Sequence, residues 1–532
     1  MTINRRNVLS IAGGAIISPF CESEGCAAAT FGLLSSELGT ATKFSFDAIK
    51  HEAELLSKKP YVPLARTESE LVNKIDYDAY QGIRYRKERT IYAGADVGYP
   101  IQLFHLGRYA PDTVDIAIVS KGYSRNIIYR QDLFDIPADN PAAALPEGIG
   151  FAGLRIMSQD LLSDWFAMIG ASYFRSASPF NQYGLSARGI AVNTASAVPE
   201  EFPKFVHLWL EQSIEPGSPL FIYALLNGPS VTGAYKMQVR RAPQSNRISN
   251  SEMNIEANLY LRSDVERVGI APFSSMFWYG EAAVQQPRDW RPEIHDSDGR
   301  AMFTGAGERI CRPLRNPPQI TTNTFVDHNP KGFGLLQRDR HFDHYLDDGV
   351  FYDKRPSVWV EPIGEWGEGA VHLVEMPTGE ETWDNVVAYW CPSSFRKAGE
   401  SRTFHYTLNW CDQPELPQGL ASTIGTWTGI GGPPGLGFKE REPNKVKVVI
   451  DFKGNCFNGL DRASGVELIV DASRGAVTNS VSYPVVGEAL RWRAMFDVET
   501  LGLEIVDLRA YLRFNGQALT ETWIYQLNPL TV

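Results

Sequence analysis

The stretch Met253-Asn-Ile-Glu-Ala-Asn-Leu-Tyr-Leu-Arg262 alternates apolar and polar side chains with a period of two, the pattern of a half-buried strand. A helix would scatter the same residues around its axis. Residues 206–210, 221–226, 235–239 and 370–376 repeat the alternation, and helical spacing is rare between them. The chain is therefore predicted to be all-β, with a large N-terminal antiparallel β-sandwich rather than an α/β sheet. Long polar loops would then carry the site.

Helices are confined to the start. Phe46, Ile49, Ala53 and Leu56 step by three and four behind Ser45, a good N-cap, and Pro60 lies beyond them. Thr67 and Glu70 have the spacing of a capping box for a second short helix. The turn-rich run 391–400 is read as a domain boundary, after which strands resume at 403–410. Apolar segments at 445–452, 466–470, 490–498 and 508–514 then predict a smaller immunoglobulin-like β-sandwich. The domains are thus 30–395 and 400–530. The glycine-rich run 425–437 lacks the Gly-Lys-Ser/Thr sequence of a phosphate loop, contains Pro433-Pro434 and reads as a mobile loop.

A chain of 532 residues has room for two cores. Its net charge of −11 disfavours a broad footprint on nucleic acid or anionic lipid, so a neutral ligand suits it better. The 22 Tyr, 12 Trp and 27 Phe supply flat apolar faces of the kind that line carbohydrate grooves and sandwich cores alike. Arg5 and Arg6, a short glycine-interrupted apolar run and the small residues after Cys26 make residues 1–29 a twin-arginine export signal. The remaining protein is expected to be soluble and periplasmic. Cys311, Cys391, Cys411 and Cys456 then stand in a compartment where disulfides persist, but buried free thiols fit a domain of this size equally well.

Two acidic runs stand out. Arg291-Pro-Glu-Ile-His-Asp-Ser-Asp-Gly299 packs three carboxylates and a histidine beside a turn glycine, and Gly379-Glu-Glu-Thr-Trp-Asp-Asn385 is the second. Each would bring a carboxylate to one cleft, as acid/base hydrolysis of a glycosidic bond requires. In the second run Asp384 sits between Trp383 and an apolar strand, where burial would favour the protonated form of a general acid. In the first, spacing does not choose between Asp296 and Asp298. Tyr173, Arg175, Tyr183 and Arg188 are cleft-lining candidates, with core packing an equal alternative for the tyrosines. Trp359 and Trp366 are sugar-stacking candidates or core residues. Arg338 to Tyr345 offers His341 and His344 without a third ligand fixed by spacing, so this loop, Tyr345 included, reads as sugar-contacting and no metal or cofactor is expected. Gly184-Leu-Ser-Ala-Arg188 lacks the final glycine of a nucleophile elbow.

Taken in order, Tyr77-Asp-Ala-Tyr80, Ile83-Arg-Tyr-Arg86, Gly150-Phe-Ala-Gly153, Gly170-Ala-Ser-Tyr-Phe-Arg175, Gln182-Tyr-Gly-Leu-Ser-Ala-Arg-Gly189, Ser230-Val-Thr-Gly-Ala-Tyr235, Arg291 to Gly299, Gly332-Phe-Gly-Leu-Leu-Gln-Arg-Asp339 and Lys354-Arg-Pro356 resemble the osmoregulated periplasmic glucan biosynthesis proteins G and D. The twin-arginine start points to the D branch. The resemblance implies a galactose-mutarotase-like sandwich joined to the immunoglobulin-like one, and a periplasmic endo-β-1,2-glucanase of glycoside hydrolase family 186, with transglycosylation in some relatives. It implies Asp384 as general acid, Asp296 as general base, and Asp298 and Glu381 as supporting residues. Implied partners are β-1,2-glucan and the inner-membrane glucan synthase; a homodimer stays open. The contrasting expectation is a non-catalytic module that holds glucan for the synthase. Asn227, where the family commonly has Asp, Gly367-Glu-Gly369, where its middle residue is commonly Lys, and the Pro433-Pro434 loop bear on chain-length preference and on hydrolysis versus transfer more than on reaction class.

Overall fold

Strand pairing follows the alternation. In the computed structural model, which describes residues 32–528 apart from 94–97, 213, 214, 216, 243–249, 284–288, 418, 433–443, 501 and 503, the strand Ser251–Leu261 buries the side chains at Met253, Ile255, Ala257, Leu259 and Leu261. It pairs antiparallel with Val231–Arg241 on one side and Ser401–Cys411 on the other. The first sheet continues outward from Val231–Arg241 through Leu220–Asn227 and Lys204–Gln212. In the other direction it runs through Ser357–Ile363, Gly332–Leu336, Gly299–Phe303 and Arg309–Pro313. A second sheet runs from the edge strand Thr321–His328 through Glu368–Glu375, Val386–Pro392 and Val268–Ser275 to Ser186–Arg188 and beyond. Leu208, Ile222, Met237, Ile255 and Leu408 of the first sheet meet Phe166, Phe273, Leu373 and Trp390 of the second in one apolar core. The fold is an all-β sandwich.

Ser401–Cys411, placed after the domain boundary by the sequence reading, is thus an inner strand of the large sheet. Its turn-rich approach is the crossing from one sheet of the sandwich to the other. From residue 421 onward a second core forms around Val448, Ile450, Trp492, Phe496, Leu508, Leu512 and Trp523. One of its two layers is a separate sheet ordered Ser422–Ile430, Lys445–Lys453, Arg491–Glu499, Val477–Pro484. The other, Thr522–Leu527 with Val506–Phe514 and Glu467–Ala472, extends the large sheet through a parallel pairing of Ile310 with Thr522. The smaller sandwich therefore shares a sheet with the larger one.

The first helix spans Phe46–Ser57, with the Ser45 hydroxyl accepting from the Ala48 amide at 3.2 Å. The expected capping box at Thr67 does not form. The second helix is Ser69–Lys74, entered from Glu68 at a φ of 51° with no side-chain cap. Gly425 and Gly429, read as part of a mobile loop, lie in the strand Ser422–Ile430, while 433–437 fall outside the described residues. All four described cysteines are free thiols. No described helix is long and apolar enough to cross a membrane. The export signal at 1–29 lies outside the described residues.

Candidate active site

The two acidic runs are fastened to consecutive residues, Met276 and Phe277, where the strand Val268–Ser275 gives way to the short strand Phe277–Tyr279. Ser275, at the end of Val268–Ser275, pairs across the sheet with Val386, and its hydroxyl lies 2.7 Å from that of Ser297. The Met276 carbonyl accepts from the Asp296 amide at 2.8 Å. Phe277 is gripped by Asn385, whose Oδ1 accepts from its amide at 2.8 Å and whose Nδ2 donates to its carbonyl at 2.9 Å. The Met276 carbonyl therefore faces the Asp296 run, while the amide and carbonyl of Phe277, which pairs with His295, face the Asp384 run.

Around this bracket runs a chain of polar contacts. Asp296 is buried, with Oδ1 at 3.4 Å from Arg355 Nε. The Arg355 guanidinium lies 5.1 Å from the centre of the Tyr352 ring, and the Tyr352 hydroxyl donates to Glu381 Oε2 at 2.6 Å. Arg291 Nη1 donates to the same Glu381 oxygen at 3.0 Å and to Asp347 Oδ2 at 2.7 Å, while Nη2 binds Asp289 Oδ2 at 2.6 Å. Burial opposes the charge on Arg291, but these three carboxylates outweigh it and hold its pKa above the usual value. The 182–189 segment closes the other wall. Gly184 packs against Arg355 and Pro356 so tightly that a Cβ there would meet both at 3.2 Å. Farther along, the Arg188 guanidinium stands 5.0 Å from the Tyr173 ring centre and donates to Glu200 Oε1 at 3.1 Å. Burial disfavours its charge, yet Tyr173, Glu200 and Asp384 together raise its pKa, so the field of Asp384 reaches this wall.

Behind Asp296 lies a second polar layer. His295 is fully buried, stacked on Phe277, with Nε2 at 2.9 Å from Glu293 Oε2 and Nδ1 at 3.0 Å from Gln337 Oε1. Burial works against the imidazolium, but Glu293 prevails and the pKa is raised. Asp298 accepts from the amides of Arg338 at 2.5 Å and Asp339 at 2.8 Å. Burial raises its pKa against the pull of His295 and those amides. Glu293, Asp339 and His344 each bring one ligand atom within 4.8 Å of the others. That set differs from the His341 and His344 pair considered from the sequence.

Residues 44–527 match the family model described as periplasmic glucan biosynthesis protein, MdoG. The chain is similar to glucans biosynthesis protein D 2 of Ralstonia nicotianae, 43% identical over 508 residues that cover 93% of this chain and 92% of that one. It is also similar to glucans biosynthesis protein D of Xanthomonas oryzae pv. oryzae, 41% identical over 542 residues covering 100% and 99%. Glucans biosynthesis protein D of Stenotrophomonas maltophilia is 42% identical over 512 residues, covering 95% and 93%. The chain belongs to the MdoG family.

In this MdoG-family chain the sequence-predicted residues fall into three groups. Asp296, Asp384 and Glu381 border the bracket, and Tyr173 with Arg188 form the adjoining wall. Arg175 and Tyr183 lie together farther along that wall, 4.7 Å from guanidinium to ring centre, with the Tyr183 hydroxyl donating to Asp164 at 3.0 Å. Two expectations are corrected. Tyr345 is fully buried, its hydroxyl bonded to Gln337 and to the Asp339 carbonyl, so it has no face to offer a sugar. Trp366 is 1% exposed among Phe333, Trp390, Phe404 and Tyr406, and its indole donates to the His405 carbonyl. Trp359 is likewise buried. The tryptophans that do present a face are Trp290, 69% exposed beside Arg291, and Trp383, 41% exposed with its indole turned to Glu380. Trp290 was missed, although an aromatic residue within the polar run Gln285-Gln-Pro-Arg-Asp-Trp290 is itself a sign of exposure. Arg355 and Tyr352 were missed as well, because only the folded chain brings them between the two acidic runs.

Proposed function

We propose that the chain is a periplasmic endo-acting hydrolase of β-1,2-glucan, exported through the twin-arginine signal at 1–29, with Asp384 as general acid and Asp296 as general base. The observation that carries this reading is the bracket at Met276 and Phe277. It fastens the two carboxylate-bearing segments to opposite sides of two consecutive residues, the separated placement that an inverting pair of carboxylates, roughly 6.5–9.5 Å apart, requires. In this reading the glycosidic oxygen lies beside Asp384 and takes its proton as the C–O bond breaks. A water on the opposite face of the ring attacks the anomeric carbon and yields its proton towards Asp296, directly or through intervening hydroxyls. The ion pair with Arg355 fixes the orientation of Asp296, and the charge on Arg188 stabilises the carboxylate left on Asp384. Trp290 and Trp383 supply exposed faces on which pyranose rings stack.

The test is incubation of linear β-1,2-glucan with the protein and with Asp384→Asn, following product size and anomeric form. Shortening by the unmutated protein alone, with inverted anomers released first, is expected. Cyclic or branched products would mean transfer to a sugar hydroxyl in place of water. Binding without any cleavage by the unmutated protein would overturn the hydrolase reading and leave a glucan-holding partner of the synthase.

A further inference from the structure

Outside the site, the most unusual group in the molecule is the guanidinium of Arg300. The strand Gly299–Phe303 pairs with Arg309–Pro313, and the register sets Arg300 directly opposite Arg312. Both side chains are enclosed, at 0% and 1% exposure, and both lie on the face that packs against the second sheet. Like charges placed directly across a ladder repel. The two arginines fare differently. Arg312 donates to Glu375 Oε2 at 2.8 Å and Oε1 at 3.4 Å, and to Asn323 Oδ1 at 2.9 Å. Arg315 takes a further share of Glu375, through its amide at 2.7 Å and its guanidinium at 3.6 Å. Glu375 is itself fully buried and is the only carboxylate that ion-pairs with any of these three arginines among the described residues.

Arg300 is left over. Among the described residues no atom accepts a hydrogen bond from Nε, Nη1 or Nη2, although all three are buried. The ring of Phe325 covers one face of the guanidinium at 3.6 Å. Burial and the neighbouring Arg312 push its pKa down only to about 9, so it carries its charge at neutral pH. A buried charge requires a counter-charge, and N–H donors in an apolar core require acceptors. Guanidinium donors radiate in the plane of the group, so an acceptor must approach its edge rather than the face that Phe325 occupies.

We propose that a small monovalent anion, chloride in the simplest case, is held at the in-plane edge of Arg300, where it faces Arg312 across the ladder and offsets one of the two positive charges by which Arg300, Arg312 and Arg315 exceed Glu375. The enclosure selects for size. A phosphate or a sugar acid has no path to a group that exposes none of its surface, whereas a halide needs only a transient opening of Thr321–His328. That edge strand is held by a single ladder, to Glu368–Glu375, and carries Phe325.

Crystals of the protein lacking residues 1–29, soaked in sodium bromide, test this directly. The expected result is an anomalous bromine peak within hydrogen-bond distance of the Arg300 nitrogens. Bromide at surface sites with none at Arg300 would overturn the proposal. Thermal unfolding in solution gives a second reading, with chloride exchanged for gluconate at constant ionic strength. Once the site is near saturation, each tenfold rise in chloride should shift the unfolding constant up to tenfold in favour of the folded state. Arg300→Met should abolish that dependence. Equal stability in the two salts, or a chloride dependence that Arg300→Met leaves intact, would refute the site. If Arg300→Met does not fold, the bromide map and the salt series on the unmutated protein decide the matter alone.

Discussion

Replacing Arg291 with methionine keeps the length of the side chain and removes the charge on which Asp289, Asp347 and Glu381 converge. Arg291 and Asp347 are buried and Glu381 is 16% exposed, so their pairing belongs to the class in which removing one partner leaves buried charge behind. Such losses run to about 3–5 kcal/mol. Asp289 is more open and adds at most about 1 kcal/mol. For a domain of this size each kcal/mol shifts the melting point by roughly 2 °C, so a fall of about 6–12 °C is expected by calorimetry. The pH dependence carries its own signature. The pKa of Asp289 is depressed chiefly by its hydrogen bond to Arg291. That of Asp347 is depressed because amide donors at Gly349 and Val350, together with Arg291, outweigh burial. A carboxyl whose folded pKa is depressed contributes stability that is fully present above the unfolded value of about 4 and is lost as pH falls through the folded pKa. Below about pH 4 the unmutated protein should therefore lose stability more steeply than Arg291→Met, and the two melting curves should converge. A melting point within 1 °C of the original at neutral pH, or parallel acid profiles, would show that Arg291 braces nothing.

Other outcomes are accessible to simpler measurements. Trp290→Ala should raise KM for long glucans by about 3–10-fold with little change in kcat, since stacking contributes roughly 0.5–1.5 kcal/mol; an unchanged KM would remove Trp290 from the cleft. Arg355→Met should lower kcat for glucan cleavage at least tenfold while binding persists, because Asp296 loses its orienting partner. An undiminished kcat would place the working carboxylate elsewhere. Thiol titration of the chain lacking residues 1–29, without reductant, should give four reactive groups in denaturant and at most one, Cys456, in the native state. Fewer than four in denaturant would reveal a disulfide.

The amphipathic strands were legible because burial on one face writes itself into every second residue, as at Met253 to Leu261. The boundary was misplaced because the turn residues between Cys391 and Glu400 mark a crossing between sheets, and such a crossing has the same composition as a linker. The capping box at Thr67 failed because the left-handed Glu68 opens the helix from a different direction. At the site, the acidic runs announced themselves by charge density. Tyr345 and Trp366 were misread because a residue in a polar or glycine-flanked segment can still be folded into the core by contacts remote in sequence. Arg355 was invisible for the converse reason: its role depends on Asp296, Tyr352 and Gly184, which converge only in three dimensions.

The sheet shared by the two sandwiches has a consequence in time. Arg309–Pro313 waits for Thr522–Leu527 as its outer neighbour, and Arg315 waits for Gln526, 211 residues later. On the same side Glu521 secures Arg338, whose amide holds Asp298. As the chain emerges from the ribosome, the middle of the large sheet presents an open edge until those late residues arrive, the situation in which strands pair with the wrong partner. Synthesis therefore leaves the larger half, with its paired acidic runs, incomplete for as long as the smaller half is unmade, and a nonsense mutation near codon 520 should damage the distant site as surely as one inside it.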